Sequence, residues 1–311
     1  MKNILVLTDF SIRAQYAAEF AMQLAMKLEA NILLCHAMDI VENGPIAAPV
    51  AWPIAGQMEL KQDSLIELKN IGASLTASIL KESDPQAFKP AMSYINEFGK
   101  LSEVAQKVLR EKSVDMIVMG AHRSSGLARF IFGSHTHDLL DNINCPVMLI
   151  PECLPYKKIR SMAYATDLTF SDLKVIDYLS SISIAFNAEI LVSHISPYGM
   201  SEIEPDNVIQ HPVCENLTTD HPKVYYTSIK GSNVTKKLLE ITASGNADLL
   251  VLVHKRYTFF ESLFHSSVSK QLASNSKVPL LILPHSFSVD IADMSQQQLN
   301  KYCFEPHRAR P

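Results

Sequence analysis

Asp115–Pro151 reads DMIVMGAHRSSGLARFIFGSHTHDLLDNINCPVMLIP, and its pattern decides the fold. Met116–Met119 is a short apolar run stopped by Gly120, which reads as a buried strand. A loop carrying Gly120, Gly126 and Gly133 follows. Gly133-Ser134 opens a helical stretch, and Pro146 leads into a second apolar strand, Val147–Ile150. A strand, a glycine-bearing loop and a helix N-terminus form the local geometry that cradles phosphate. The first N–H groups of a helix have no partner within it, and the helix dipole favours an anion there.

Upstream, Asn3–Leu7 is a first strand ending in Thr8-Asp9-Phe10-Ser11, where Ser11 can cap a helix. Ala14, Ala17, Ala18, Ala21, Leu24, Ala25 and Leu28 then recur at spacings of three and four, the stripe of an amphipathic helix. Asn31–His36 is a second strand. Met38–Gly56 is rich in Pro and Ala and reads as a long loop. Gln57 to about Lys81 is a long helix expected to place Leu60, Leu65, Leu68, Ile71, Leu75 and Ile79 on one side. Ala91–Ile95 is a third strand, and Leu101–Glu111 a helix with Leu101, Val104, Ala105 and Val108 inward. Strands alternate with helices, and several strands are apolar on both faces. This predicts an α/β fold, a parallel sheet covered by helices on both sides.

The second half repeats the first. Ile159–Ala165 is a strand ending in Thr166-Asp167-Leu168, as the first strand ends in Thr8-Asp9-Phe10. The step from Asp9 to His36 is 27 residues, as is that from Asp167 to His194. Asp248–Val253 matches Asp115–Gly120 at a shift of 133, which also takes Arg123 to Arg256, Gly133-Ser134 to Ser266-Ser267 and Pro146 to Pro279. So many matches mean an internal duplication of one α/β unit. Between its second and third strands, His194–Val224, copy two carries Pro, Asn and Asp breakers, so the long helix there is expected to be missing or reduced to a turn. The domains are set at 1–152 and 159–285, with a linker at 153–158 and a polar tail at 286–311 that holds at most a short helix around Met294–Lys301.

Composition fits this organisation. A chain of 311 residues, 47% apolar and 19% charged, suits two domains of about 150 residues each. Net charge is −4 with no Lys/Arg-rich block, which argues against nucleic acid as the partner. MKNILVLTDF lacks the apolar core of a signal peptide, and no apolar run approaches the roughly 20 residues of a membrane span, so a cytoplasmic location is expected. Five scattered cysteines, Cys35, Cys145, Cys153, Cys214 and Cys303, read as free thiols.

These residues resemble the universal stress protein family in its tandem two-domain form. The family's nucleotide-binding members carry an Asp at the end of strand one. They also carry a loop of pattern G-x-x-G, nine residues, then G-S/T, after strand four. Copy one reads Gly120-Ala121-His122-Arg123, nine residues, Gly133-Ser134, with Arg123 in place of the second glycine. The resemblance implies two Rossmann-like (adenine nucleotide alpha hydrolase-like) five-stranded parallel sheets in tandem repeat, each of strand order 3-2-1-4-5. It also implies that Val147–Ile150 and Leu280–Leu283 pair antiparallel, making the chain an intramolecular pseudo-dimer; whether chains assemble further stays open. The implied ligand is ATP or a related adenine nucleotide, in a stress-response protein that is regulatory rather than catalytic. Asp9 would face the adenosine and the backbone of Ala37 the adenine. Gly120, Gly133, Ser134, Thr136 and the backbone of His135 would hold ribose and phosphates. The strand order places strands one and four side by side with connections leaving in opposite directions, which opens a crevice at their carboxyl ends.

Arg123 departs from the pattern. Its guanidinium can reach a phosphate, fill the pocket, or pair with a carboxylate. Copy two has Val253, Arg256 and Ser266 where the family has glycine, and Phe259, Phe260 and Phe264 along the loop, so it is not expected to bind ATP in the family's manner. Asp9 could also simply hold the turn into the helix. His36 and His194 end apolar strands and read as packing residues. His135 and His137 diverge around a helix axis rather than forming a metal pair, and His122 lies in the loop. Ser134, His135 and Asp138 lack the placement of a hydrolase triad, and there is no Walker A motif. The alternative to a nucleotide-binding protein is a structural or interaction module in which Arg123 fills the pocket.

Overall fold

The structure, a computed structural model, describes residues 2–38, 54–82, 86–121, 134–151, 154, 156–166, 173–196, 224–231, 234–243, 245–254 and 278–287. The chain forms two compact units. The first comprises Met1–Lys157 with Ser276–Ile282, and the second Lys158–Asn275 with Leu283–Pro311.

In the first unit the elements run β1 (Lys2–Leu7), α1 (Ile12–Leu28), β2 (Ala30–Met38), α2 (Ile54–Glu82), β3 (Met92–Phe98), α3 (Leu101–Glu111), β4 (Met116–Gly120), α4 (Ser134–Asn142) and β5 (Val147–Ile150). The strand order is β3-β2-β1-β4-β5, with every pair parallel. The inner strands are buried on both faces: Ile4, Leu5, Val6, Ile117, Val118 and Met148 are at most 1% exposed. That burial is why they read as continuous apolar runs rather than alternating ones. β10 (Leu280–Leu283) adds antiparallel to β5, with Leu280 opposite Leu149 and Ile282 opposite Val147. The fifth strand of the sequence repeat therefore extends the first unit's parallel sheet by one antiparallel strand.

α1 begins at Ser11, whose side chain accepts the Ala14 N–H, and ends at Glu29 in the left-handed conformation, φ 52°. Its inner face is Ala14, Ala17, Ala18, Ala21 and Ala25 with Phe20 and Leu24, all buried. Small side chains there let the helix lie close on the sheet. On α2 the expected stripe holds at Leu68 and Leu75, which are buried, with Leu65 and Ile71 half-buried, but not at Leu60, which is 48% exposed. Ser64 and Gly72 join the inner face, and a Cβ on Gly72 would lie 2.2 Å from the Tyr94 hydroxyl. The second strand also runs two residues further than its apolar run, through Ala37 and Met38.

The second unit contains β6 (Ser161–Thr166), α5 (Leu173–Phe186), β7 (Glu189–Ser196), β8 (Val224–Lys230), α6 (Val234–Ala243) and β9 (Leu249–Val253). Its strands run β9-β6-β7-β8, all parallel. Leu283 accepts the His254 N–H at 2.7 Å, and a 3-10 turn at His285–Phe287 sets the Phe287 ring edge-on to Tyr178, 5.3 Å between centroids. The expectations for 197–223 and for the tail beyond 287 fall outside the described residues.

The duplication is visible in the contacts. Asp115 accepts the Asn3 N–H at 3.1 Å, and its counterpart Asp248 accepts those of Arg160 and Ser161 at 2.9 and 3.3 Å. Each aspartate thereby fastens the start of its unit's first strand to the start of its fourth. The helix after each first strand ends beside a left-handed residue, Glu29 at φ 52° and Asn187 at φ 50°. Ala121 donates to Ile150 at 2.8 Å, as His254 donates to Leu283.

Candidate functional site

The carboxyl ends of β1 and β4 lie side by side, since Leu7 is in register with Met119. β1 stops because its next residues turn. Thr8 is buried and takes the Phe10 N–H on its hydroxyl at 3.0 Å. Phe10 sits at φ 61°, the left-handed region, which bulky side chains rarely enter and which is held only where surrounding contacts fix it. Its ring packs on His36, 4.3 Å between centroids, and His36 Nδ1 lies 2.8 Å from the Thr8 carbonyl oxygen. His194 repeats that contact with the Thr166 carbonyl at 3.2 Å. Both histidines therefore tie a second strand to the end of a first, the packing role their sequence positions suggest.

Asp9 holds this turn. Its Oδ1 accepts both the Ser11 hydroxyl and the Ser11 N–H, the latter at 3.1 Å, and Oδ2 accepts the Arg13 guanidinium at 3.2 Å. Partial burial raises the carboxyl pKa, but the Ser11 and Arg13 hydrogen bonds outweigh it and hold the group below its ordinary value. The side chain stays 61% exposed, an ionised carboxylate at the mouth of the crevice.

Gly120 ends β4 opposite Ile150. A Cβ there would lie 2.8 Å from the Arg13 carbonyl oxygen and 2.9 Å from its carbon. Glycine is thus required by the approach of α1 itself, whatever else occupies the crevice. Ala37 lies within β2, not after it. Alternation of the ladder sets its direction: Cys35 accepts from Thr8 of β1, while Ile32 donates to Ala91 on the β3 side and Met38 accepts from Gly99 there. The main-chain groups of Ala37 therefore point to the β1 side, where β1 has already ended.

α4 starts at Ser134 and carries His135 and a buried Thr136. Asp138, two residues on, accepts from the Ser102 hydroxyl and from Asn142 Nδ2 at 3.0 Å, which fastens α4 to α3. That engagement accounts for Asp138 as a structural residue. His122, Arg123, Gly126, Gly133, Asp167 and Arg256 lie outside the described residues, as do Phe259, Phe260, Phe264 and Ser266. Among the described residues, no group of three or more His, Cys, Asp or Glu side chains gathers as a metal set, and no helix is long and apolar enough to cross a membrane. Cys35 and Cys145 are free and buried, and burial pushes both thiols up to about 12. Sequence reasoning passed over Phe10 and Arg13. Their signal was weak, an aromatic and a cation beside the strand-end Asp, and only the turn brings them to it.

The model of the universal stress protein family matches residues 1–151 and again 159–284. The chain belongs to the universal stress protein family. Universal stress protein Slr1230 of Synechocystis is 21% identical over 291 residues, 90% of this chain and 99% of that one. Universal stress protein MJ0531 of Methanocaldococcus jannaschii is 26% identical over 163 residues, 48% of this chain and 81% of that one. Among solved structures, a universal stress protein from Archaeoglobus fulgidus covers 91% of this chain and 98% of its own, with TM-score 0.66 at 14% identity. At that identity the likeness is one of fold. This universal stress protein is a tandem one, with the α/β, mainly parallel architecture of the family.

Proposed function

We propose that this universal stress protein binds ATP or a related adenine nucleotide in its first unit, as a regulatory ligand rather than a substrate. The observation that carries the reading is the shared address of Asp9, Ala37 and Gly120. All three stand where β1 ends before the two strands beside it, at the switch in strand order where open α/β sheets take their ligands. Asp9 offers an exposed, ionised acceptor for a ribose hydroxyl, and the main chain of Ala37 offers one donor and one acceptor for an adenine edge. Phe10 over His36 supplies an aromatic wall. Ser134, His135 and Thr136 open α4, and a helix start suits phosphate; Gly133 before them in sequence, and the Arg123 guanidinium, would join them at the ligand. Occupancy would signal stress by changing the surface that the loop presents to a partner.

A second reading rests on two observations. Arg13 and Ser11 already engage the Asp9 carboxylate, and Gly120 has a packing reason of its own. In that reading the first unit is an interaction module whose pocket Arg123 fills. Calorimetric titration separates the two. ATP is expected to bind the wild type and to fail on Gly133→Trp, with Asp9→Asn weakening binding about tenfold, the loss of one charge-assisted hydrogen bond. Absence of heat at millimolar ATP on the wild type, with binding created by Arg123→Gly, establishes the filled pocket instead.

A further inference from the structure

The parallel sheet of the first unit ends at β3, and α2 and α3 cover opposite faces of that end. Between them, beside residues 94–97, lies a groove of about 580 Å³. Its walls are apolar at Leu65, Ile95 and Val108. Its floor is main chain. Ile32 donates to Ala91 and Gly99 donates to Met38, so the odd-numbered residues of β3 turn their N–H and C=O toward β2. The even-numbered ones, Tyr94 and Asn96, turn theirs into the groove. The side chains beside them are held fast: Asn96 Nδ2 donates to the Lys61 carbonyl at 2.6 Å and also to the Ser64 hydroxyl. The rim carries Lys61, Lys107 and Lys112 against Glu97 and Glu111, an excess of one positive charge, and Glu97 holds both Lys61, at 3.6 Å, and Lys107, at 3.3 Å. These two lysines are still 42% and 47% exposed, so nearly half of each remains open to a further carboxylate.

We propose that this groove accepts an extended acidic peptide segment, which adds to β3 as a further strand. Tyr94 and Asn96 supply the main-chain ladder, and the side chains of the peptide alternate between the two faces, one set toward Leu65 of α2 and the other toward α3. An acidic side chain of the peptide meets Lys107 and Lys112. The Glu97 strap gives selectivity. Lysines laid over an open edge resist indiscriminate strand pairing, and only a segment bringing its own carboxylate compensates them. The site shares no residue with the nucleotide crevice, so it stands or falls independently of that reading.

The test uses the full chain and a fluorescein-labelled eight-residue peptide of alternating valine and glutamate, with the valine–lysine peptide as control. Fluorescence anisotropy is expected to show saturable binding of the first at least tenfold tighter than the second. Residue-resolved amide exchange is expected to show added protection at Tyr94 and Asn96, while Ile95 and Glu97, already bonded to β2, change little. Lys107→Glu is expected to weaken the acidic peptide by at least about fivefold. Binding without protection at Tyr94 and Asn96 overturns strand addition. Equal binding of the two peptides, an indifferent Lys107→Glu variant, or no binding at millimolar acidic peptide overturns the proposal.

Discussion

The two units are copies of one sequence pattern and, among the described residues, differ at the end of the fourth strand, beside the candidate site of the first. Strand-start clamps, helix-end residues and the histidine contacts persist in both. Those contacts satisfy main-chain groups at element ends, and losing them leaves buried donors or acceptors unpaired whatever the protein does. At the end of the fourth strand, by contrast, the counterpart of Gly120 is Val253, and the valine is only 7% exposed. In the first copy the bare glycine lets the first turn of α1 approach. The retained glycine is thus weaker evidence for a ligand than the motif suggests, because α1 needs it. The evidence moves to the residues around it: the early end of β1, Asp9 and the main chain of Ala37.

The comparison can be broken by exchanging its members. The largest effect is expected from Gly120→Val, which gives the first unit the residue of the second. Its side chain would overlap the Arg13 backbone, so about 3 kcal/mol should be lost, read as a lower urea midpoint at unchanged slope. A change under 0.5 kcal/mol would show that α1 moves away freely.

The aspartate clamps come next. Asp248 is 8% exposed and accepts two N–H groups, whereas Asp115 is exposed and accepts one. Asp248→Ala should cost about 2 kcal/mol and Asp115→Ala under 1 kcal/mol. Equal losses in chemical denaturation would refute burial as the cause of the difference.

The smallest effect at neutral pH concerns the second strands. The 158-residue shift that takes His36 to His194 also takes Cys35 to Ser193. The Ser193 hydroxyl is fully buried, with no hydrogen-bond partner among the described residues. A thiol tolerates that surrounding better than a hydroxyl. Ser193→Cys should therefore stabilise by about 1 kcal/mol and Cys35→Ser destabilise by a similar amount. The thiol adds a pH dependence. Cys35 is raised from 9.0 to about 12, so its neutral form is favoured in the fold. Its contribution is complete below the unfolded pKa and is lost as pH rises from about 9 to about 12, at ~1.4 kcal/mol per pH unit. Cys35→Ser should flatten that alkaline decline in urea titrations, and an unaltered slope would reassign it to other groups.

Much of this was legible in the residues. The paired Thr-Asp steps, the 27-residue spacings and the 133-residue shift fixed the duplication, because element lengths and strand ends leave periodic marks. Apolar runs such as Met116–Met119 gave buried parallel strands for the same reason. The inner face of α2 was legible at Leu68 and Leu75 but not at Leu60, Ser64 or Gly72, since a leucine stripe identifies a helix but not how closely it docks. The end of β2 was placed early because Ala37 and Met38 are drawn into the ladder by β3, a partner 60 residues away in sequence.

The sequence by itself determined the α/β class, the tandem repeat and the parallel sheet. Local propensity and spacing are sufficient for these. Tertiary structure alone decided that Arg13 and Ser11 hold Asp9, that Gly120 serves the approach of α1, and that the sheet ends at β3 between two helices. Each depends on the distance between groups far apart in the chain, or on the path of a turn, and those quantities exist only once the sheet has assembled.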